Sequence, residues 1–160
     1  MLLTINITEK QYEELCPQER VLIDAAKEAT QCSYAPYSTF NVGAAVELED
    51  GTIVKGANQE NAAFSVTLCA ERTAIFAAQA SAPEKAITAI ALAAKTVHPG
   101  EGDIPTFQKK PVSPCGSCRQ VITEMEQRYR RPIRILMYGE EVIYIAETIK
   151  DLLPLSFTEY

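Results

Sequence analysis

The chain has 160 residues, 47% of them hydrophobic and 22% charged, with a formal net charge of −6 and five cysteines. That length fits a single domain over residues 1–160, able to bury roughly 70% of the surface its unfolded form exposes, so no staple is needed merely to fold. No apolar stretch approaches the roughly 20 residues of a membrane span, the start Met1-Leu2-Leu3-Thr4-Ile5-Asn6 lacks the marks of a signal peptide, and the acidic balance argues against a nucleic-acid partner, whose binding runs on Lys and Arg. A cytoplasmic protein without membrane contact is expected, its cysteines free thiols or metal ligands rather than disulfides.

Along the chain, helices and strands alternate, which predicts an α/β domain. After an extension that reaches to about Glu19, Pro17 suits the first turn of a helix whose apolar positions Val21, Leu22, Ala25, Ala26 and Ala29 recur at helical spacing, ending near Cys32. Residues 34–38 read as a turn around Pro36. Strands 42–48 and 52–56 flank Asp50-Gly51, a strong hairpin signal, so the first sheet contact is antiparallel. Residues 69–80, rich in alanine, fit a buried helix, and the short apolar run 86–94 fits a central strand. Residues 96–112 hold three prolines, two glycines, two adjacent lysines and the only histidine, His98. They read as a surface loop with His98 exposed in it. A helix over 115–129, strands 133–138 and 142–146, and a short terminal helix before Leu153-Pro154-Leu155 complete the pattern. The basic cluster Arg128, Arg130, Arg131 and Arg134 reads as a solvated helix end running into a strand, because cations suit a helix C-terminus.

The chemistry concentrates where the cysteines fall. Cys69 opens one helix, and Cys115 with Cys118 opens another, so unpaired N–H groups and the positive ends of two helix dipoles face the sulfurs and favour thiolates. By itself the Cys-x-x-Cys pair could be redox-active. A third cysteine at a matching helix start favours a metal instead, zinc above all. Three protein ligands leave one coordination position open, as catalytic zinc sites do, whereas structural sites usually close with four. Glu71, two residues after Cys69, can lie beside the ion without joining it and take a proton from water, although its bland reading is a dipole-favoured helix-start acid. Arg72 and Arg119 could donate hydrogen bonds to the thiolates and offset their charge.

Cys69-Ala70-Glu71-Arg72-Thr73-Ala74 together with Pro114-Cys115-Gly116-Ser117-Cys118-Arg119-Gln120 resembles the zinc site of the cytidine deaminase family, in its small homotetrameric form with three cysteine ligands; the general signature of zinc deaminases, with His or Cys first, is well established. Two further blocks, residues 34–45 and 56–62, and the tail Leu152-Leu153-Pro154-Leu155-Ser156-Phe157 extend the resemblance over nearly the whole chain. It implies a three-layer α/β/α fold with a mixed sheet of about five strands flanked by helices, one Zn2+ per subunit and no organic cofactor. It further implies hydrolytic deamination of cytidine and 2′-deoxycytidine, releasing uridine or 2′-deoxyuridine and ammonia, as in pyrimidine salvage. Glu71 would pass a proton to N3 and then to the departing ammonia. Asn58 and Glu60 would grip the ribose hydroxyls, Phe40 would line the base pocket, and the N–H of Ala70 and carbonyl of Ser113 would read the cytosine edge. Phe157 would enter a neighbouring subunit's site, so a homotetramer with shared sites is expected.

Phe64 stands where the family often has Tyr, Ser117 replaces a common Ala, and the 96–112 loop is longer than expected. Three competing readings keep their place. A deaminase of another small cytosine-bearing compound, such as a nucleoside antibiotic, would share the zinc site. A polynucleotide deaminase sits poorly with the acidic balance and with Cys at position 69, and a structural zinc module would show no turnover.

Overall fold

The computed structural model describes residues 1–97, 100 and 102–159; the expectation for His98 lies outside the described residues. Seven strands form one sheet: β1 (Thr8–Lys10), β2 (Asn41–Leu48), β3 (Ile53–Ala57), β4 (Ile87–Thr96), β5 (Thr106–Phe107), β6 (Arg134–Met137) and β7 (Ile143–Ala146). Their order is β1-β7-β6-β4-β2-β3, with β5 paired to β4. Only β4 with β6 is parallel; the other pairs are antiparallel. Three helices, α1 (Pro17–Ala29), α2 (Ala70–Ser81) and α3 (Gly116–Tyr129), pack on it.

The five longer strands are those the apolar patterning predicts. The other two correct the reading at its margins: β1 lies inside the expected extension, and β5 inside the expected loop. Both are short, β1 at the sheet edge and β5 on the end of β4 that extends past β6, and their own sequences show no strand pattern. The first helix stops at Ala29, and a tight 3₁₀ turn over Thr30–Cys32 carries the chain on; the expected terminal helix is likewise a 3₁₀ turn, Ile149–Asp151.

Side-chain alternation on the central strands creates the three layers. On β4, Ile90 and Leu92 face one side with Ala44, Val46, Ile135 and Met137, against Ala74 and Ala78 of α2 and Ile122 of α3. Ala89, Ala91 and Ala93 face the other, with Ala45 and Leu136, against Leu22, Ile23 and Ala26 of α1. Small residues on that face let α1 come close. A Cβ at Gly43 would lie 2.1 Å from the Ala26 carbonyl oxygen, and one at Gly56 2.4 Å from the Ala74 nitrogen, so glycine sets the seating of α1 on β2 and of α2 on β3.

Topology then fixes where the sulfurs meet. Strands β3 and β4 are both antiparallel to β2 and hence parallel to each other. Helix α2 follows β3, and α3 lies on the crossover between the parallel strands β4 and β6, which brings both helix N-termini to the same end of the sheet, beyond the C-termini of β3 and β4, where α/β sheets bind ligands.

Candidate metal centre and active site

Cys69 is the N-cap of α2 and Cys115 the N-cap of α3, both with extended backbone, while Cys118 lies in the first turn of α3 and is fully buried. Cys69 Sγ is 3.7 Å from Cys115 Sγ, and Cys115 Sγ is 3.6 Å from Cys118 Sγ. Thiolates at about 2.3 Å from a tetrahedral zinc stand about 3.8 Å apart. The trio therefore fits the ion, and among the described residues no fourth His, Cys, Asp or Glu joins it. All five cysteines are free.

Two arginines were candidates to balance the thiolate charge, and they part company. Arg72 Nη2 donates to Cys69 Sγ at 3.5 Å. A hydrogen bond from Cys118, joined by those from Arg72 and Cys115, pulls the Cys69 thiol down to about 5 against the opposing effect of burial. Arg119 instead donates from Nε to the Pro114 carbonyl at 2.8 Å, from Nη1 to the Leu152 carbonyl at 2.7 Å, and from Nη2 to the Ser113 hydroxyl at 3.0 Å. No sulfur is among its partners. Its expected bond to a thiolate is thus corrected: Arg119 ties the strap before α3 to the C-terminal segment.

Glu71, in the first turn of α2, is 5% exposed. Burial, with the charge of Cys69 adding to it, pushes its carboxyl up to about 7, while its own backbone N–H, Cys118 and Arg72 pull the other way. A carboxyl in that range exchanges protons readily near neutrality, as a general acid–base must. The N–H groups at the start of α2, Ala70 among them, have no partner within the helix, and Ala70 is buried beside Glu71.

Asn58 and Glu60 follow β3 on a short extended run held between the Tyr34 and Leu68 backbones. Both side chains point the same way, toward residues 33–42. Asn58 Oδ1 accepts from the Val42 N–H at 2.8 Å and from the Ser33 hydroxyl, and its Nδ2 donates to the Phe40 carbonyl at 2.8 Å. Glu60 accepts from the Tyr37 N–H at 2.8 Å, the Ser38 N–H at 3.3 Å and the Ser38 hydroxyl. That hydroxyl, then the two N–H groups, hold its carboxyl below the usual range against burial. Both residues thereby shape the loop that carries Phe40, which is half-buried.

Sequence reasoning passed over Ser38 and Thr39. The Ser38 oxygen also accepts from the Phe40 N–H at 3.1 Å, coupling Glu60 to Phe40, and Thr39 holds a φ of 56°, rare for a β-branched residue. A cavity of about 320 Å3 opens here, lined by Tyr37, Ser38, Glu60, Phe64 and Thr67. Phe64, the departure from Tyr, packs edge-on to Tyr37 at 6.0 Å. Phe157 is 67% exposed, and its carbonyl accepts from Gln120 Nε2.

The family model for the cytidine and deoxycytidylate deaminase zinc-binding region matches residues 17–131. A cytidine deaminase of Halalkalibacterium halodurans is 40% identical over 140 residues, covering 87% of this chain and 93% of that protein. The crystal structure of cytidine deaminase from Burkholderia pseudomallei superposes with a TM-score of 0.68 at 36% identity, covering 86% of this chain and 97% of that one. A more distant relative, the blasticidin-S deaminase of Bacillus cereus, is 28% identical over 97% of both chains.

Proposed function

Because the chain belongs to the cytidine and deoxycytidylate deaminase family of zinc-binding enzymes, we propose that it deaminates cytidine and 2′-deoxycytidine hydrolytically, with one zinc per subunit held by Cys69, Cys115 and Cys118. The observation that carries this reading is the three-sulfur cluster of zinc dimensions with a buried, proton-exchanging acid beside it. When bound, zinc supplies Lewis acidity that makes a water molecule nucleophilic near neutral pH.

The chain's own residues do the rest. Glu71 binds beside N3 of the pyrimidine, takes one proton from the attacking water and passes it to N3 as C4 becomes tetrahedral, then takes the remaining proton from the new C4 hydroxyl and delivers it to the amino group, which leaves as ammonia as the C4 carbonyl forms. The N–H of Ala70 and the carbonyl of Ser113 orient the ring. Phe40 flanks the base, Asn58 and Glu60 bind the ribose, and Phe157 closes a neighbouring subunit's site. Asn58 retains one amide hydrogen beyond its internal bonds, and Glu60 lines the cavity beside Tyr37 and Phe64. Arg72 positions Cys69. Residues 1–160 act as one domain, since one sheet takes strands from both ends of the chain. A cytoplasmic homotetramer serving pyrimidine salvage fits this chemistry, with a nucleoside as its partner; among the described residues no helix is long and apolar enough to cross a membrane.

Following the ultraviolet absorbance of cytidine with purified protein, with and without a zinc chelator, tests the reading. Chelator-sensitive conversion to uridine is expected, and no conversion by the zinc-loaded protein overturns it. The blasticidin-S deaminase relative favours a second reading, action on that compound. Parallel assays with cytidine and blasticidin S separate the two, and tetramer mass by light scattering checks the assembly.

A further inference from the structure

The basic cluster at the end of α3 does not behave as one solvated helix end. Arg128 donates to the Gln79 side chain and to the Pro83 carbonyl, and Arg134 is bound to Glu19 at 2.6 Å and to Glu147 at 3.2 Å. These two serve the fold. Arg130 has no side-chain partner among the described residues, and Arg131 has only Glu49, at 3.8 Å. Both line a cavity of about 590 Å3, together with Lys150, whose ammonium has no partner among the described residues.

The only acid on that cavity wall is Glu126, and its carboxylate is already committed. Oε1 accepts from the Ile133 and Ile149 N–H groups at 2.9 and 2.8 Å, and Oε2 from the Thr148 hydroxyl at 2.9 Å. It therefore cannot turn outward to neutralise the cations. Three positive side chains thus share one concavity in a chain whose net charge is −6. With three cations against one carboxylate, the wall is positive on balance, and a cleft of one predominant sign concentrates the field on whatever enters it; Ser156 and Thr158 also line it.

Arg130 also holds its place at a conformational cost. It closes α3 with φ 51° and ψ 41°, the left-handed position where helices usually end on glycine. Glycine or asparagine would do that backbone task with less strain. What arginine adds is a planar guanidinium suited to phosphate oxygens.

We propose that this cavity is a binding site for a small phosphate-bearing polyanion, such as a diphosphate or triphosphate group, separate from the three-sulfur site. A ligand there would also meet Ser156 and Thr158, which flank Phe157 in sequence.

Titration calorimetry of the zinc-loaded protein with inorganic pyrophosphate, and separately with a pyrimidine nucleoside triphosphate, tests this without reference to turnover, so it stands or falls apart from the deaminase reading. Binding in the micromolar range at low salt is expected, weakening on addition of sodium chloride as charge pairing requires. R130G keeps the left-handed end of α3 and K150Q alters only an exposed side chain; each should weaken binding about tenfold or more while cytidine turnover stays unchanged. Tighter binding of the triphosphate identifies a nucleotide as the source, and equal binding identifies the phosphate group alone as what is recognised. No binding of either probe at millimolar concentration, or an R130G/K150Q double variant that binds like wild type, overturns the site.

Discussion

Replacing Glu71 with Gln keeps the size of a buried side chain and removes its ability to carry a proton. The carboxyl stands at about 7 against an ordinary 4.5, chiefly because burial disfavours its charged form. An acid raised in this way costs nothing below about pH 4.5, where folded and unfolded chains both hold the proton. As pH rises toward 7 the unfolded chain ionises first and the fold loses stability, and above 7 the loss is complete. A rise from 4.5 to about 7 corresponds to about 3 kcal/mol at 1.36 kcal/mol per pH unit. The shift belongs to the zinc-free protein, so that is the form to unfold.

In urea titrations at pH 8, zinc-free Glu71→Gln should be more stable than wild type by up to about 3 kcal/mol, the difference closing near pH 4. The zinc-loaded variant should keep its metal and lose about 10²- to 10⁴-fold in kcat on cytidine, the range general acid–base catalysis supplies. A gain in stability paired with a loss of turnover marks a group retained for chemistry rather than for the fold. Equal stability at pH 8, or turnover within tenfold of wild type, refutes the assignment.

Arg72→Ala removes the N–H···S bond to Cys69 and should lower zinc affinity about 10- to 100-fold in competition with a chelator; unchanged affinity would detach Arg72 from the metal centre. Gly56→Ala sets a Cβ 2.4 Å from the Ala74 nitrogen and 2.8 Å from the Ala70 carbonyl oxygen, so α2 must shift. A loss of about 1–3 kcal/mol in urea unfolding is expected, together with weaker zinc binding, because Cys69 moves with the helix. Ser38→Ala breaks the hydroxyl link between Glu60 and the Phe40 N–H and should raise the KM for cytidine about tenfold, the worth of one hydrogen bond to a charged group, with a smaller change in kcat. An unaltered KM would free the loop from substrate binding.

How legible each part is in sequence follows from how local its cause is. The central strand shows as an unbroken apolar run because both of its faces are covered, and the hairpin shows because Gly51 takes the positive φ its turn requires. The sulfur cluster shows because ligand type and spacing at two helix starts are written in consecutive residues. Strands β1 and β5 do not show. Thr8–Lys10 and Thr106–Phe107 are strands only because β7 and the end of β4 beyond β6 offer them backbone partners, a tertiary effect without a local pattern.

The two arginines mark where neighbourhood in sequence stops predicting chemistry. Each follows a cysteine motif and each carries the same guanidinium, so residue type alone assigns them one role. What separates them is competition among acceptors. Arg72 has the Thr67 carbonyl, no nearer at 3.5 Å, as its one oxygen rival to the cysteine sulfurs among the described residues. Arg119 meets three oxygens at 2.7–3.0 Å, one of them Leu152, which lies 33 residues away. Oxygen accepts at closer range than sulfur, and that acceptor enters only after the C-terminal segment has folded against α3. The same logic divides the basic cluster. Arg128 and Arg134 find distant carboxylate, amide or carbonyl partners, Arg131 finds Glu49, and Arg130 finds none among the described residues, so the member of the cluster most open to a ligand is identifiable only once the internal partners have been allotted.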